Sequence, residues 1–347
     1  MNVLGIESSC DECSAAVVKD GRDILSLHTV TQTEIHAQFD GVVPEVASRA
    51  HVEAIQPVVR TALTRANLSM DQIDLVAVTN QPGLSGSLTV GLSFAKAFAF
   101  ARGVPFVTVD HMLAHAYAPR LVPAGGDDSG NNRIPVYPYL ILLVSGGHTL
   151  IGIVWGEEEL EVLGTTIDDA CGEAFDKVGN YLGLDYPGGP RIDAMAREGD
   201  SRAYRFPVPK LNNANQRYDL SYSGLKTAVI HQRERFHDAR FPETKANIAA
   251  AFQKAAIDML LTRLANAVED TGILRVAAGG GVAANSYLRQ SLERNDDLDV
   301  SIPPMELCMD NGAMVAGLGY HRFLRHGFSS LDAGVNARVS DFRYRPN

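Results

Sequence analysis

Tyr139-Leu140-Ile141-Leu142-Leu143-Val144-Ser145-Gly146-Gly147-His148-Thr149-Leu150-Ile151-Gly152-Ile153-Val154 reads as a buried strand, a Ser-Gly-Gly bend and a second strand. An acidic turn at Gly156 to Glu159 and a third strand, Glu161 to Thr165, follow. The N-terminus has the same order. Val3 to Glu7 is a short apolar strand, Ser8-Ser9-Cys10-Asp11-Glu12-Cys13 a polar bend, Ser14 to Val18 the returning strand, Lys19-Asp20-Gly21-Arg22 a charged turn and Ile24 to Thr29 a third strand. The chain thus has two related halves in pattern, without identity worth quoting between them. Two strand-first halves, each opening with a phosphate-sized bend, point to a nucleotide in a cleft between two lobes. Gly146 and Gly147 let backbone N–H groups approach a phosphate because no Cβ stands in the way.

A chain of 347 residues exceeds the size at which one core keeps growing, so two domains are expected. The N-terminal lobe is placed at 1–110, with the segment from about 325 to 347 packing back on it. The C-terminal lobe is placed at 111–324, with a basic insert at about 187–240. Cys10, Cys13, Cys171 and Cys308 are too few and scattered for a disulfide framework, and the start carries no signal-peptide pattern, which indicates a cytoplasmic protein. No apolar run is long enough to span a membrane. The formal charge of −10 argues against a free-standing nucleic-acid binder, DNA included, because such affinity comes mostly from Lys and Arg on phosphates. Any RNA contact must be local or shared with a partner.

In the first half, Glu45 to Leu68 has helical spacing with an expected kink or split at Pro57. Leu75 to Thr79, the glycine-rich turn 80–87, the helix Leu88 to Ala101 and the strand Val104 to Val109 make a βαβ unit. The turn lacks the Gly-Lys-Ser/Thr of a P-loop, so it is either a phosphate cradle or merely a tight connection. Directly after it stand His111 and His115. Four residues apart on a helix, their directions differ by roughly 40°, so both imidazoles can reach one point; two hydrogen-bonded histidines would satisfy the spacing equally. A metalloprotease would need Glu where Met112 stands. Cys10-x-x-Cys13 lacks the second pair a zinc site wants.

In the second half, Thr165 to Gly179 reads as a capped helix with Asp169, Glu173 and Asp176 near one face, either solvated or with one carboxylate turned to a ribose. Tyr186-Pro187-Gly188-Gly189-Pro190-Arg191-Ile192-Asp193 is a turn that permits close ligand approach. From Pro187 to Arg240 ten Lys and Arg stand against six Asp and Glu, with Arg202, Arg205, Lys210 and Arg217 interleaved with Tyr204, Phe206 and Tyr218. That composition suits phosphate contact and base stacking, or a solvated basic face. Asn247 to Glu269 is a core helix. Ile273 to Ala278 is a strand running into Gly279-Gly280-Gly281-Val282-Ala283-Ala284-Asn285, a second candidate ligand edge. Asp310 precedes the helix Ala313 to Leu324, as its N-cap or as the oxygen that completes a His, His, Asp metal site.

Nine stretches together resemble one family, the bacterial branch of the tRNA adenosine threonylcarbamoyltransferases, once called glycoproteases. They are Gly5 to Glu12, Pro44 to Arg49, Gly83 to Leu88, His111 to His115, Leu143 to Thr149, Asp168 to Lys177, Ser221 to Thr227, Gly279 to Asn285 and Asp310 to Met314. They fall in the family's order across nearly the whole chain. The resemblance implies an α/β, actin-like and sugar-kinase-like (ASKHA) fold of two duplicated ribonuclease-H-like lobes with an interlobe cleft. It implies transfer of the threonylcarbamoyl group from threonylcarbamoyl-AMP to the exocyclic amine of the adenosine 3′ to the anticodon, in tRNAs reading ANN codons, with release of AMP. It implies one divalent metal, iron first and zinc as the alternative, held by His111, His115 and Asp310. Leu143, Val144, Ser145, Gly146, Gly147, Asp176, Gly189, Asp193 and Asn285 would hold the acyl adenylate, or ATP, ADP or AMP. The implied partners are tRNA, a TsaB-like inactive paralogue and a TsaE-like small ATPase. Asp11 or Glu12 is the candidate base for the attacking amine. Cys13 stands where the family usually has Thr, and the loop Pro123 to Asn132 is longer than usual.

Two other classes compete. An ATP-dependent small-molecule kinase of the same fold would share the glycine bends but have no use for a His, His, Asp site. A nucleotide-dependent scaffold would do no chemistry at all.

Overall fold

The N-terminal hairpin forms as read: β1 (Asn2–Glu7) pairs antiparallel with β2 (Glu12–Lys19), Glu7 opposite Ser14, and β2 pairs antiparallel with β3 (Asp23–Thr31). The computed structural model describes residues 1–39, 41–123, 134–207, 216–231 and 245–338. After α1 (Thr33–Ala37) comes α2 (Pro44–Arg65), one helix that continues through Pro57, so of the expected kink or split the split does not occur. Its buried positions Ala47, His51, Ile55, Val58, Val59, Ala62 and Leu63 continue on both sides of the exposed proline, and packing of that face outweighs the missing backbone bond. Next come β4 (Leu75–Gln81), α3 (Ser85–Arg102) and β5 (Phe106–Asp110), with β4 parallel to both β1 and β5, the expected crossover unit. The first sheet has the order β3-β2-β1-β4-β5. α4 (His111–Tyr117) leaves β5 without a loop.

The second half builds β6 (Tyr139–Val144), β7 (Thr149–Gly156) and β8 (Glu159–Thr165), then α5 (Cys171–Tyr181), α6 (Gly188–Ala196), α7 (Ser223–His231) and α8 (Lys245–Thr271). It ends with β9 (Arg275–Gly279), α9 (Ser286–Glu293), β10 (Asp299–Ser301), α10 (Met305–Cys308) and α11 (Gly312–His326). The second sheet has the order β10-β9-β6-β7-β8, which read from its other end, β8-β7-β6-β9-β10, repeats the first sheet strand for strand. The duplication is therefore topological. The helix expected from Thr165 begins at Cys171 instead, because Thr165 still belongs to β8 and the Thr166 hydroxyl donates to the Asp169 carbonyl.

The chain divides into two units. Of the described residues, unit 1 contains those in Met1–Tyr137, Val154–Leu160 and 303–338; unit 2 contains those in Pro138–Ile153 and Glu161–Ile302. These limits differ from the boundaries at 110 and 324 read from the sequence. α4, α10 and α11 all belong to unit 1, because α11 packs on the face of the first sheet that presents Val3, Ala16, Val18, Ala77, Val107 and Val109. The opposite face, with Leu4, Ile6, Ala15, Val17, Val76 and Val78, is covered by α2 and α3. β1 is thus apolar on both sides, as its near-continuous hydrophobic run requires. Beyond α11 the chain bonds to the first sheet, Ser329 N–H donating to the Phe106 carbonyl (2.8 Å) and Asn336 N–H to the Asn80 carbonyl (2.9 Å). Residues 339–347, most of the loop Pro123 to Pro135, Lys210 and parts of the basic insert lie outside the described residues. Among the described residues, no helix is long and apolar enough to cross a membrane.

Candidate active site

Asp110 closes β5 and caps α4, its carboxylate accepting from Met112 N–H (2.9 Å) and Leu113 N–H (3.1 Å). One turn of α4 then sets the buried His111 and His115 side by side, ring centroids 4.5 Å apart at 83°. Asp310 comes from the far end of unit 1. The cap of α11 is Asn311, which accepts from Met314 N–H, so Asp310 is not spent on the helix terminus. Its Oδ1 lies 2.9 Å from His115 Nε2 and 3.5 Å from His111 Nε2. The ligand atoms of the three residues all fall within 4.8 Å of one another. The spacing of the two histidines was legible; the arrival of Asp310 needed the fold.

The electrostatics fit a cation at this point. Burial opposes a proton on His111, yet Asp310 and Glu7 outweigh it and push the imidazole up to about 9. Burial pushes the Glu12 carboxyl well above the carboxylate range, and Asp310, Asp11 and Glu7 push it further. Carboxylates crowded beside two imidazoles, Glu7 buried and Glu12 and Asp310 half-buried, are an arrangement that a divalent ion relieves. Two imidazoles and a carboxylate with open positions suit iron or zinc. The four cysteines are free; burial pushes Cys13 up to about 12 and Cys10 far above the thiol range, so neither is a ready thiolate ligand.

In unit 2, Leu143 and Val144 end β6, and Ser145-Gly146-Gly147-His148 makes the bend, with Ser145 N–H donating to the His148 carbonyl (2.7 Å). The glycines 146 and 147 are exposed, and an added Cβ would meet nothing within 4 Å at either, so the fold does not demand them. The Ser145 carbonyl accepts from Gly172 N–H near the start of α5. β6 pairs parallel with β9, Leu143 opposite Gly279, which brings the triple glycine beside this bend; Gly280 has φ +84° and packs on the Val144 backbone. Asn285 caps α9 and holds Gln253 through its amide (2.8 Å), while Asp193 accepts from the Ser286 hydroxyl (2.7 Å) and Arg197 (2.9 Å). Those two expected ligands therefore meet at the α9 terminus. Asp176 instead accepts from Gly188 N–H (2.7 Å) and Gly189 N–H (3.4 Å) at the start of α6. Asp169 and Glu173 share Lys177, and Asp169 also pairs with Lys226.

The basic insert differs from its reading. Tyr204 and Phe206 are buried against one another rather than offered for base stacking. Arg202 is paired with Asp200, and Arg217 with Asp270 and Glu269. Sequence reasoning also passed over Glu7 and Thr79 beside His111, and Asp168, which caps α7 through Tyr222 N–H and Ser223 N–H. The available signal for Glu7 was a carboxylate ending an apolar strand.

The fold matches known structures along nearly the whole chain. HypF of T. kodakarensis superposes with a TM-score of 0.60 at 15% identity, over 93% of this chain and 48% of that one. Component A of the (R)-2-hydroxyglutaryl-CoA dehydratase of Acidaminococcus fermentans superposes with a TM-score of 0.56 at 14% identity, over 93% and 98%. With the duplicated sheet order, they set the fold in the actin-like, sugar-kinase-like class. The family model TsaD, tRNA N6-adenosine threonylcarbamoyltransferase, matches residues 23–317. Curated enzymes of that name are 51% identical in Treponema denticola (99% of this chain, 98% of that one) and 47% identical in Borrelia garinii subsp. bavariensis (99% and 98%). The chain belongs to the tRNA N6-adenosine threonylcarbamoyltransferase family.

Proposed function

We propose that this protein transfers the threonylcarbamoyl group of threonylcarbamoyl-AMP to the exocyclic amine of the adenosine 3′ to the anticodon, in tRNAs reading ANN codons, releasing AMP. The observation that carries the reading is the convergence of His111, His115 and Asp310, with ligand atoms within 4.8 Å, in a chain of this family. A small-molecule kinase would have no use for that trio. Those three residues would hold one divalent ion, iron first and zinc as the alternative. Bound there, it supplies a Lewis acid for the carbonyl under attack and an anchor for the threonyl part.

The rest is the chain's own work. The Ser145 to Gly147 bend, led in by Leu143 and Val144, receives the phosphate of the leaving AMP on the backbone N–H groups of Gly146 and Gly147, which no Cβ shields, while the Ser145 N–H closes the bend on the His148 carbonyl. Asp176, Gly189, Asp193 and Asn285 line the nucleoside part, and ATP, ADP or AMP would take the same place. Either carboxyl of the first bend, Asp11 or Glu12, would take the proton of the attacking amine. The formal charge of −10 fits an enzyme that receives help with RNA, from a TsaB-like paralogue and a TsaE-like ATPase, in the cytoplasm. The test is nucleoside analysis of tRNA incubated with the protein, those partners, threonylcarbamoyl-AMP and iron or zinc. Threonylcarbamoyladenosine at one adenosine is expected. Unmodified tRNA with every component present overturns the reading.

A further inference from the structure

β1 is apolar from Val3 to Ile6 and then ends in Glu7, a carboxylate with 0% exposure. Burying a carboxylate costs several kcal/mol unless its oxygens are met by donors, so the identity of those donors says what the residue is for. Ser9 N–H donates to Oε1 at 2.6 Å and the Thr79 hydroxyl, on the adjacent strand β4, to Oε2 at 2.5 Å. The third partner is His111, whose Nδ1 lies 3.2 Å from Oε2. Strand alternation makes this contact unavoidable. Val3 faces α11 and Gly5 touches Gly312 and Ala316 of that helix, while Leu4 and Ile6 face α2 and α3, so Glu7 emerges on the side where α4 begins.

The two imidazoles differ in this respect. His111 has a carboxylate behind it, with the Ser9 hydroxyl also 3.2 Å from the same Nδ1. His115 Nδ1 is buried and has no hydrogen-bond partner among the described residues. A histidine whose Nδ1–H is held by a carboxylate has its tautomer and ring angle set, and its Nε2 lone pair is left free to bind a metal and made more basic. His111 Nε2 is the atom that faces Asp310.

We infer that Glu7 is the positioning residue of this metal centre: it holds the His111 ring so that Nε2 is presented to the cation, and it acts through His111 alone. The inference rests on the metal reading of the preceding section. A purely structural Glu7 would tie β1 to β4 through Thr79 and affect both histidines equally.

The test is Zn(II) affinity of the purified full chain, measured by competition with a chromogenic chelator. In the parent and in a His115→Ala background, Glu7→Gln is expected to weaken binding about 10–100-fold, the usual cost of removing a carboxylate behind a metal-bound histidine. In a His111→Ala background the same substitution is expected to leave affinity nearly unchanged, because the ring it acts on is gone. Co(II) loaded into Glu7→Gln is expected to show a shifted visible absorption band. If Glu7→Gln does not fold, Thr79→Val, which removes one donor from the carboxylate, is expected to give a smaller loss that also vanishes with His111→Ala. A parent chain that takes up no Zn(II) refutes the metal reading itself. A parent that binds Zn(II) while Glu7→Gln binds equally well, or loses the same factor in all three backgrounds, overturns the role of Glu7 and leaves the metal reading standing.

Discussion

Gly5→Ala tests whether the contact between β1 and α11 sets both the stability of unit 1 and the position of Asp310. A Cβ at Gly5 would lie 2.0 Å from the Gly312 carbonyl oxygen, 2.6 Å from Ala316 N and 2.7 Å from Ala316 Cβ. None of these atoms is the end of a flexible side chain. Since non-bonded atoms settle at about 3.5 Å, strand and helix must separate by more than about 1 Å. Overpacking of this kind costs about 1–3 kcal/mol, and contact with two backbone atoms and a rigid alanine Cβ places it at about 3. At about 2–4 °C per kcal/mol for a unit of this size, the melting temperature should fall by about 6–12 °C. α11 begins two residues after Asp310, so the displaced helix carries that carboxylate away from His111 and His115. Zn(II) affinity should therefore fall with stability. Thermal unfolding followed by the single tryptophan, Trp155, and chelator competition read the two effects. A variant that melts within about 1 °C of the parent and binds Zn(II) equally well refutes the reasoning, because that shift is worth under 1 kcal/mol.

Other outcomes follow from the same geometry. Below pH about 9 the His111 imidazole carries a proton that a bound metal must displace, so apparent metal affinity should climb with pH and level off above about 9. Calorimetry at pH 7 in buffers of different ionisation enthalpy should register the released proton, and its absence sinks the assignment. Gly146→Ala and Gly189→Ala, where an added Cβ meets nothing within 4 Å, should melt with the parent yet bind AMP more weakly, as titration calorimetry would measure. Asp168→Ala removes the acceptor for Tyr222 N–H and Ser223 N–H and should destabilise α7 by about 1–2 kcal/mol in denaturant titrations. Phe206→Ala should lower stability by about 3–5 kcal/mol because the ring is buried; loss of tRNA affinity with full stability would restore the stacking role.

Local signals carried a large part of this protein. The hairpins at both starts, the crossover from Leu75 to Val109 and the glycine bends each declare themselves within some thirty residues, because period-two alternation, glycine and helical spacing are near-neighbour chemistry. Pro57 shows the limit: it does not split α2, because a buried face that only the folded sheet supplies runs on both sides of it. The basic insert shows the same limit, since Tyr204 and Phe206 look like stacking platforms until a core forms around them. The pairing of His111 with His115 was written in four residues, but the carboxylate that completes the trio is 195 residues from His115 along the chain. Asp310 reaches it because Gly5, Gly312 and Ala316 let α11 lie on the first strand, and because Asn311 relieves Asp310 of capping that helix. Which residues can bind a metal is a matter of side-chain chemistry and was legible in the sequence; which of them meet depends on packing between distant segments, and the tertiary structure alone decided that.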